Sequence, residues 1–207
     1  MKADLQEDWC GKKVAVIGLG VSNLALIQVL QQAGATLSGR DRKTRAELGE
    51  RARELEALGI ELILGPEYLD NLESFDIVMV SPGVPKHLPE LQAVKHKGKL
   101  SSEIALVFKY SPAPIYGVSG SSGKTTTTSL IGEMLKNSGI SVHVGGNIGN
   151  PLIAKLEEID PQDSLLLELS SFQLDGLGQS PQGALLTNLT ENHLDLHLTM
   201  ENYIQAK

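Results

Sequence analysis

The sequence has a single cysteine, Cys10, which excludes a disulfide framework and any zinc site built from several thiolates. It has no apolar run long enough to span a bilayer and no signal peptide, so the expected compartment is the cytoplasm and no membrane partner is expected. Positive charge is also short: 18 Lys and Arg against 25 Asp and Glu leave a formal net charge of −7. That balance argues against nucleic acid as the main partner, because a phosphate backbone calls for a basic surface. An acidic chain that handles phosphates must build its positive field locally. Aromatic residues are scarce, apolar content is ordinary, and 207 residues are enough for one large domain or two modest ones.

What is present is an alternation of apolar runs and amphipathic stretches, which predicts an α/β architecture with parallel sheets. Strands are expected at 13–18, 35–38, 60–64 and 76–81, and helices at 22–33, 43–58, 89–96 and 102–108. The prolines in Tyr110-Ser-Pro-Ala-Pro114 break both periodicities, which places a domain boundary near residue 111 and gives domains of 1–111 and 112–207. A second cycle follows, with strands at 113–118, 141–144, 164–169 and 184–189, a helix at 125–136, a turn at 145–150 leading into a helix, and a helix from about 199 to the end. The sequence stops at Lys207 inside that last helix without a cap, which reads as a fragment.

Gly117-Val-Ser-Gly120-Ser121-Ser122-Gly123-Lys124-Thr125-Thr126 lies between an apolar strand and an amphipathic helix. Strand, glycine-rich turn, Gly-Lys-Thr and helix is the layout of a phosphate-cradling loop. Backbone N–H groups at the helix start point at phosphate, Lys124 reaches the terminal phosphates, and the Thr125 hydroxyl sits on Mg²⁺. The common pattern has glycine where this chain has Val118, and a flexible Gly/Ser connector is the alternative reading.

Gly18-Leu19-Gly20-Val21-Ser22-Asn23 follows the first strand and opens the first helix, and Asp41 lies about twenty residues on, where a ribose-binding acid is expected. The same glycines would also serve a tight turn that packs helix on strand. Arg40 and Arg42 either meet a 2′-phosphate or are surface charges, which is the commoner fate. Ser81-Pro82-Gly83 ends a strand, where ligands of open α/β sheets bind, though a plain turn explains it equally.

Glu168 closes the apolar strand Leu165-Leu-Leu-Glu168, and a buried strand seldom ends on a carboxylate unless the charge is paired or holds a metal. Mg²⁺ is held by one or two carboxylates plus phosphate oxygens, which suits Glu168. His193 and His197 are four residues apart, but zinc is disfavoured because the intervening residues lack the glutamate of a zinc-protease helix. His193 reads as a strand-end histidine near bound Mg²⁺, and His197 as a surface residue. The Asn147 amide, in Gly145-Gly-Asn147-Ile-Gly-Asn-Pro151, either meets phosphate oxygens or belongs to a structural turn.

Together these segments resemble the Mur ligases of peptidoglycan synthesis, closest to the branch that adds D-glutamate to UDP-N-acetylmuramoyl-L-alanine. Four segments carry the resemblance: Gly-Val-Ser-Gly-Ser-Ser-Gly-Lys-Thr-Thr, Gly-Gly-Asn-Ile-Gly-Asn-Pro, Leu-Glu-Leu-Ser-Ser-Phe-Gln-Leu and Asn-Leu-Thr-Glu-Asn-His-Leu-Asp. It implies a Rossmann-like first domain that binds the UDP precursor through Gly18 to Ser22, Asp41, Arg42 and Ser81 to Gly83. It implies part of a P-loop ATPase domain in which Gly120 to Thr126 hold ATP. By resemblance Thr125, Glu168, His193 and a carbamylated Lys207 hold Mg²⁺, and Asn147, Gln173 and His193 line the substrate site. Lys124, His193 and Lys207 are the implied catalytic residues, in a monomer that forms an acyl phosphate and then an amide.

Ser122 stands where the family usually has asparagine, and Asn23 where it commonly has glycine. The family also continues through the rest of the ATPase domain and a third domain, so these 207 residues alone are expected to be inactive. Two other readings compete. One is an NAD(P)-binding oxidoreductase-like domain fused to a nucleotide-binding module, and the other is a non-catalytic nucleotide-binding protein.

Overall fold

The computed structural model describes residues 2–149 and 151–207. It divides the chain into two compact units, the first running to Glu103 and the second from Ile104 to Lys207. The division falls one helix earlier than the prolines of 110–114 suggest.

The first unit opens with α1 (Lys2–Trp9) and continues β1 (Lys13–Ile17), α2 (Val21–Gln32), β2 (Thr36–Asp41), α3 (Arg45–Leu48), α4 (Glu50–Ala57), β3 (Glu61–Leu64), β4 (Ile77–Val80), α5 (Pro89–His96) and β5 (Leu100–Ser101). All five strands run parallel in the order β3-β2-β1-β4-β5. The order reverses at β1, and this switch point opens a crevice at the C-terminal ends of β1 and β4. Val14 to Ile17 and Val78 to Val80 are buried on both sides, which is why these strands are unbroken apolar runs. The single helix expected over 43–58 is two, because Gly49 takes φ 59° and breaks the ladder; Thr44 then caps α3 in a reciprocal box with Glu47. The two-residue β5 is too short for any pattern to show.

In the second unit α6 (Glu103–Tyr110) leads to β6 (Ile115–Ser119), α7 (Lys124–Asn137), β7 (Val142–Gly146), β8 (Ser164–Glu168), α8 (Ser171–Leu174), β9 (Gly183–Leu186), α9 (Leu194–His197) and α10 (Met200–Ala206). Its four parallel strands are ordered β7-β8-β6-β9. Of the turn expected over 145–150, Gly145 and Gly146 still belong to β7, residues 147–149 form the bend, and Asn150 lies outside the described residues. The helix expected after it is a 3-10 helix, Leu152–Glu158, entered from Pro151. The strand expected over 184–189 stops at Leu186, where the chain turns to run past the phosphate loop. No helix among the described residues is long and apolar enough to cross a membrane.

Candidate functional site

Each unit presents a site at the C-terminal ends of its strands. In the first, β1 ends at Ile17 and the chain turns through Gly18, whose φ is 84°. A Cβ there would lie 2.7 Å from the Ser81 Cβ, so glycine lets the β1 turn touch the end of β4. Asp41 straps two loops together: its carboxylate accepts from Leu19 N at 2.8 Å and from Lys43 N at 2.9 Å. From α4, Arg51 donates to Leu19 O at 2.9 Å. Asn23 donates to Ile17 O at 3.1 Å and to Gly18 O at 2.8 Å. The residue that replaces the fingerprint glycine therefore grips the turn with its amide.

These contacts frame a cavity of about 440 Å³. Gly18, Leu19, Gly20, Asp41, Arg42, Ser81 and Gly83 line it, while Val21, Ser22 and Pro82 are not among its lining residues. Lys43, Arg51 and Tyr68 also line it, and the sequence pattern did not mark them. The Tyr68 phenol is pushed above its ordinary value by burial and by the charges of Glu90 and Asp41, against the pull of Arg42.

Arg40 is neither a phosphate ligand nor a surface charge. It is 2% exposed, and its guanidinium donates to the carbonyls of Asp70 at 2.7 Å and Tyr68 at 3.3 Å. Burial lowers its pKa against the opposing charges of Glu61 and Asp70.

In the second unit β6 runs into Ser119 and Gly120, where a Cβ would collide with the Thr187 hydroxyl. Gly123 takes φ 78° and Lys124 begins α7. The loop is held from outside by the segment after β9. Thr187 donates to Ser122 O at 2.7 Å, Ser122 N donates to Asn188 Oδ1 at 3.1 Å, and Ser121 Oγ donates to Thr190 O at 2.8 Å. The Tyr203 hydroxyl lies 2.8 Å from Ser121 Oγ. Lys124 Nζ donates to Gly120 O at 2.9 Å and Ser121 O at 3.2 Å. Thr126 is exposed on the first turn of α7.

Glu168 is 1% exposed at the end of β8. Its two oxygens accept from the Thr125 hydroxyl at 2.7 Å and the Asn147 amide at 2.8 Å. Gly146 allows this approach, since a Cβ there would strike the Glu168 carbonyl. Lys207 reaches the same loop, donating to Ser119 Oγ and Gly120 O, each at 3.0 Å. Burial and then the charge of Lys124 lower its pKa to about 8.

Gln173 is spent locally, its carbonyl oxygen accepting from Ser170 N at 3.0 Å in a reciprocal cap of α8. His193 is exposed, and its ring meets Phe172 edge-on at 5.0 Å. His197, expected at the surface, is buried at 8% exposure; it stacks on Phe172 at 4.9 Å and bonds Ser171 Oγ at 2.9 Å.

The donor set fits Mg²⁺. A buried carboxylate beside a hydroxyl offers hard oxygens, and the donors that meet its two oxygens, the Thr125 hydroxyl and the Asn147 amide, are neutral. No cluster of three His, Cys, Asp or Glu side chains forms among the described residues, so phosphate oxygens would complete the shell.

Comparison with known proteins agrees with this geometry. Residues 12–101 match the Mur ligase MurD-like N-terminal domain, and residues 118–207 match the Mur ligase middle domain. A UDP-N-acetylmuramoylalanine--D-glutamate ligase of Symbiobacterium thermophilum is 49% identical over 95% of this chain and 43% of its own length. The protein of that name from Clostridium kluyveri is 47% identical with the same coverage. The chain thus spans 43% of the length of these curated relatives. The crystal structure of a UDP-N-acetylmuramate-alanine ligase, MurC, from Thermotoga maritima superposes with a TM-score of 0.52 over 94% of this chain and 46% of its own, at 22% identity, which supports the fold.

Proposed function

The chain belongs to the Mur ligase family, and on that premise we propose that it forms the first domain and part of the second of a cytoplasmic ligase that joins D-glutamate to UDP-N-acetylmuramoyl-L-alanine at the expense of ATP. The observation that carries this reading is the second site, where the phosphate loop, the Thr125–Glu168 bond and Lys207 gather at the C-terminal ends of the adjacent strands β6 and β8. A module that only bound nucleotide would need the loop and none of the rest.

The chemistry has two steps. The precursor carboxylate attacks the γ-phosphate of ATP, giving an acyl phosphate and ADP. The amine of D-glutamate then displaces phosphate to form the amide. Negative charge accumulates in both, so the side chains act by positioning and electrostatic stabilisation. Lys124 exchanges its bonds to Gly120 O and Ser121 O for phosphate oxygens. Thr125 and Glu168 would hold Mg²⁺, which supplies charge neutralisation when bound. His193 is proposed to join them from the exposed start of α9. Lys207 is proposed to act as its carbamate, because a lysine cation repels a metal and a carbamate offers it oxygens. A pKa of about 8 leaves a sizeable fraction of neutral amine, the form that adds CO₂. In the first unit Asp41 orders the turn, and Arg42, Lys43 and Arg51 give the cavity the positive field that a diphosphate requires.

The test is thermal stabilisation by UDP-N-acetylmuramoyl-L-alanine, by Mg·ATP and by NADPH, each separately. A ligand at about a hundred times its Kd adds roughly 2.7 kcal/mol, or about 5–10 °C for a chain of this size. The expected result is a shift with the first two and none with NADPH. A shift with NADPH alone would replace this reading with an oxidoreductase-like one.

A further inference from the structure

His197 is buried, at 8% exposure, yet the ligase reading gives it no task. Its ring lies in the middle of a continuous row of side chains. In one direction Phe172 stacks on it, with centroids 4.9 Å and planes 7° apart, and Phe172 in turn meets the ring of His193 edge-on at 5.0 Å. In the other direction Tyr203 meets it edge-on at 5.4 Å, and Lys207 Nζ lies 5.0 Å from the centre of the Tyr203 ring. These are the separations and tilts at which aromatic rings, and a cation over a ring, attract. The row therefore runs His193, Phe172, His197, Tyr203, Lys207. Its two ends are the histidine and the lysine to which the ligase reading gives roles.

The middle of the row is fixed, and its ends depend on it. Ser171, 2% exposed, places its Oγ 2.9 Å from His197 Nε2, a bond that sets the rotation of the imidazole plane. The main chain adds a second tie, since Asn202 Nδ2 in α10 donates to His197 O at 2.9 Å. Tyr203 is 1% exposed, and its hydroxyl reaches Ser121 Oγ of the phosphate loop at 2.8 Å. His193, by contrast, is exposed and takes φ 54°, a left-handed conformation that a non-glycine residue keeps only where its surroundings hold it. Lys207 ends a long flexible side chain, and Tyr203, one turn earlier, supplies the face beneath its ammonium. Rigid rings packed in the interior pass a position along with little loss.

We infer that His197 is a positioning residue for the second site, the central support from which Phe172 orients His193 and Tyr203 orients Lys207. This inference rests on the ligase reading of that site, which supplies the roles of His193 and Lys207. The four-residue spacing of His193 and His197 then serves to bring two imidazoles onto Phe172, not to place both on one metal ion.

The experiment is calorimetric titration of the purified chain with Mg·ATP, alongside ¹H–¹³C NMR of the His193 ring and the Lys207 ε-methylene. His197→Ala should move both sets of resonances and weaken Mg·ATP by roughly ten-fold, the combined size of two aromatic pairs. His197→Phe keeps the ring and should stay within about three-fold of the parent. His197→Gln keeps a hydrogen-bonding group for Ser171 without the ring, and should behave like His197→Ala. Breaking one link at a time should separate the ends: Phe172→Leu moves the His193 signals and spares Lys207, and Tyr203→Leu does the reverse. These two variants carry the test if His197→Ala does not fold.

A role confined to filling the core would lower the melting temperature of His197→Ala but leave the folded variant with the parent's Mg·ATP affinity and the parent's His193 and Lys207 signals. That result would overturn the inference and leave the ligase reading standing. Recovery in His197→Gln and not in His197→Phe would also overturn it, in favour of the Ser171 bond. Signals at both ends that ignore Phe172→Leu and Tyr203→Leu alike would show that the row transmits nothing. A parent that fails to bind Mg·ATP would take down the ATP-binding reading and this inference with it.

Discussion

The candidate sites of the two units differ in how far their loops are already committed to bonds within the protein. In the first, the glycine turn is pinned from three sides by Asp41, Arg51 and Asn23, and a cavity stands beside it. In the second, the two lysines nearest the phosphate loop donate into the loop's own carbonyls. The first is pre-organised by bonds that a ligand need not disturb. The second, on the proposed reading, would trade bonds within the protein for bonds to phosphate. The units differ in their apolar surface as well. Of the eleven large apolar residues exposed among the described residues, nine lie in the second unit, including Leu185 and Leu186 on the edge strand β9 and Leu130 and Met134 on α7. An exposed apolar edge strand is a surface that invites pairing.

The largest expected effect breaks the second site and spares the first. Lys124→Ala should abolish the thermal shift with Mg·ATP while the shift with the UDP precursor stays within about 1 °C, since the mutated residue is remote in sequence and lies in the other unit. A matching loss of the precursor shift would show that the sites are not separable in this way.

Gly18→Ala is the converse. A side chain at φ 84°, 2.7 Å from the Ser81 Cβ, should destabilise the first unit by about 2–3 kcal/mol and remove precursor binding. Urea unfolding followed by the fluorescence of Trp9 reads the first unit directly. Asp41→Asn should be milder, about 1–2 kcal/mol, because a neutral amide replaces a carboxylate that accepts two backbone N–H bonds.

Lys207 carries the pH dependence. Its pKa is about 8 in the folded chain against an ordinary 10.5, so between these values the unfolded chain binds more protons and this group's contribution to stability rises with pH. Below about pH 8 that gain is absent. A ¹³C-bicarbonate NMR experiment should show a carbamate signal that grows from pH 7 to 9 and vanishes in Lys207→Arg. No signal in the parent at pH 9 would remove the carbamate from the mechanism.

The smallest effect concerns the edge. Leu186→Lys on β9 should change stability by no more than about 0.5 kcal/mol yet lower concentration-dependent association by light scattering.

Much of this was legible along the chain because the signals are local. Apolar runs marked every strand of four residues or more, and Gly-Lys-Thr after β6 marked the phosphate loop. The misses are also physical. Gly49 splits one expected helix because a single positive φ ends the hydrogen-bond ladder, whatever the periodicity around it. His197 was read as a surface residue because nothing beside it in sequence marks a partner, and the rings packed on it, Phe172 and Tyr203, come from other segments. The contacts of Arg51, Tyr68, Thr187 and Asn188 carry no local signature, since their partners lie 32, 28, 65 and 66 positions away.

The sequence by itself determined the parallel α/β class, the position of both glycine turns, and the carboxylate that ends β8. Spacing within one strand, turn and helix is enough to specify those features. Only the tertiary structure decided that Arg40 is buried as a clamp, that Asp41 and Arg51 brace the first turn, that residues 187–190 buttress the phosphate loop, and that Lys207 arrives at Gly120. Those contacts join residues far apart in the chain, and parallel strands bring them together because each crossover returns the chain to the same end of the sheet.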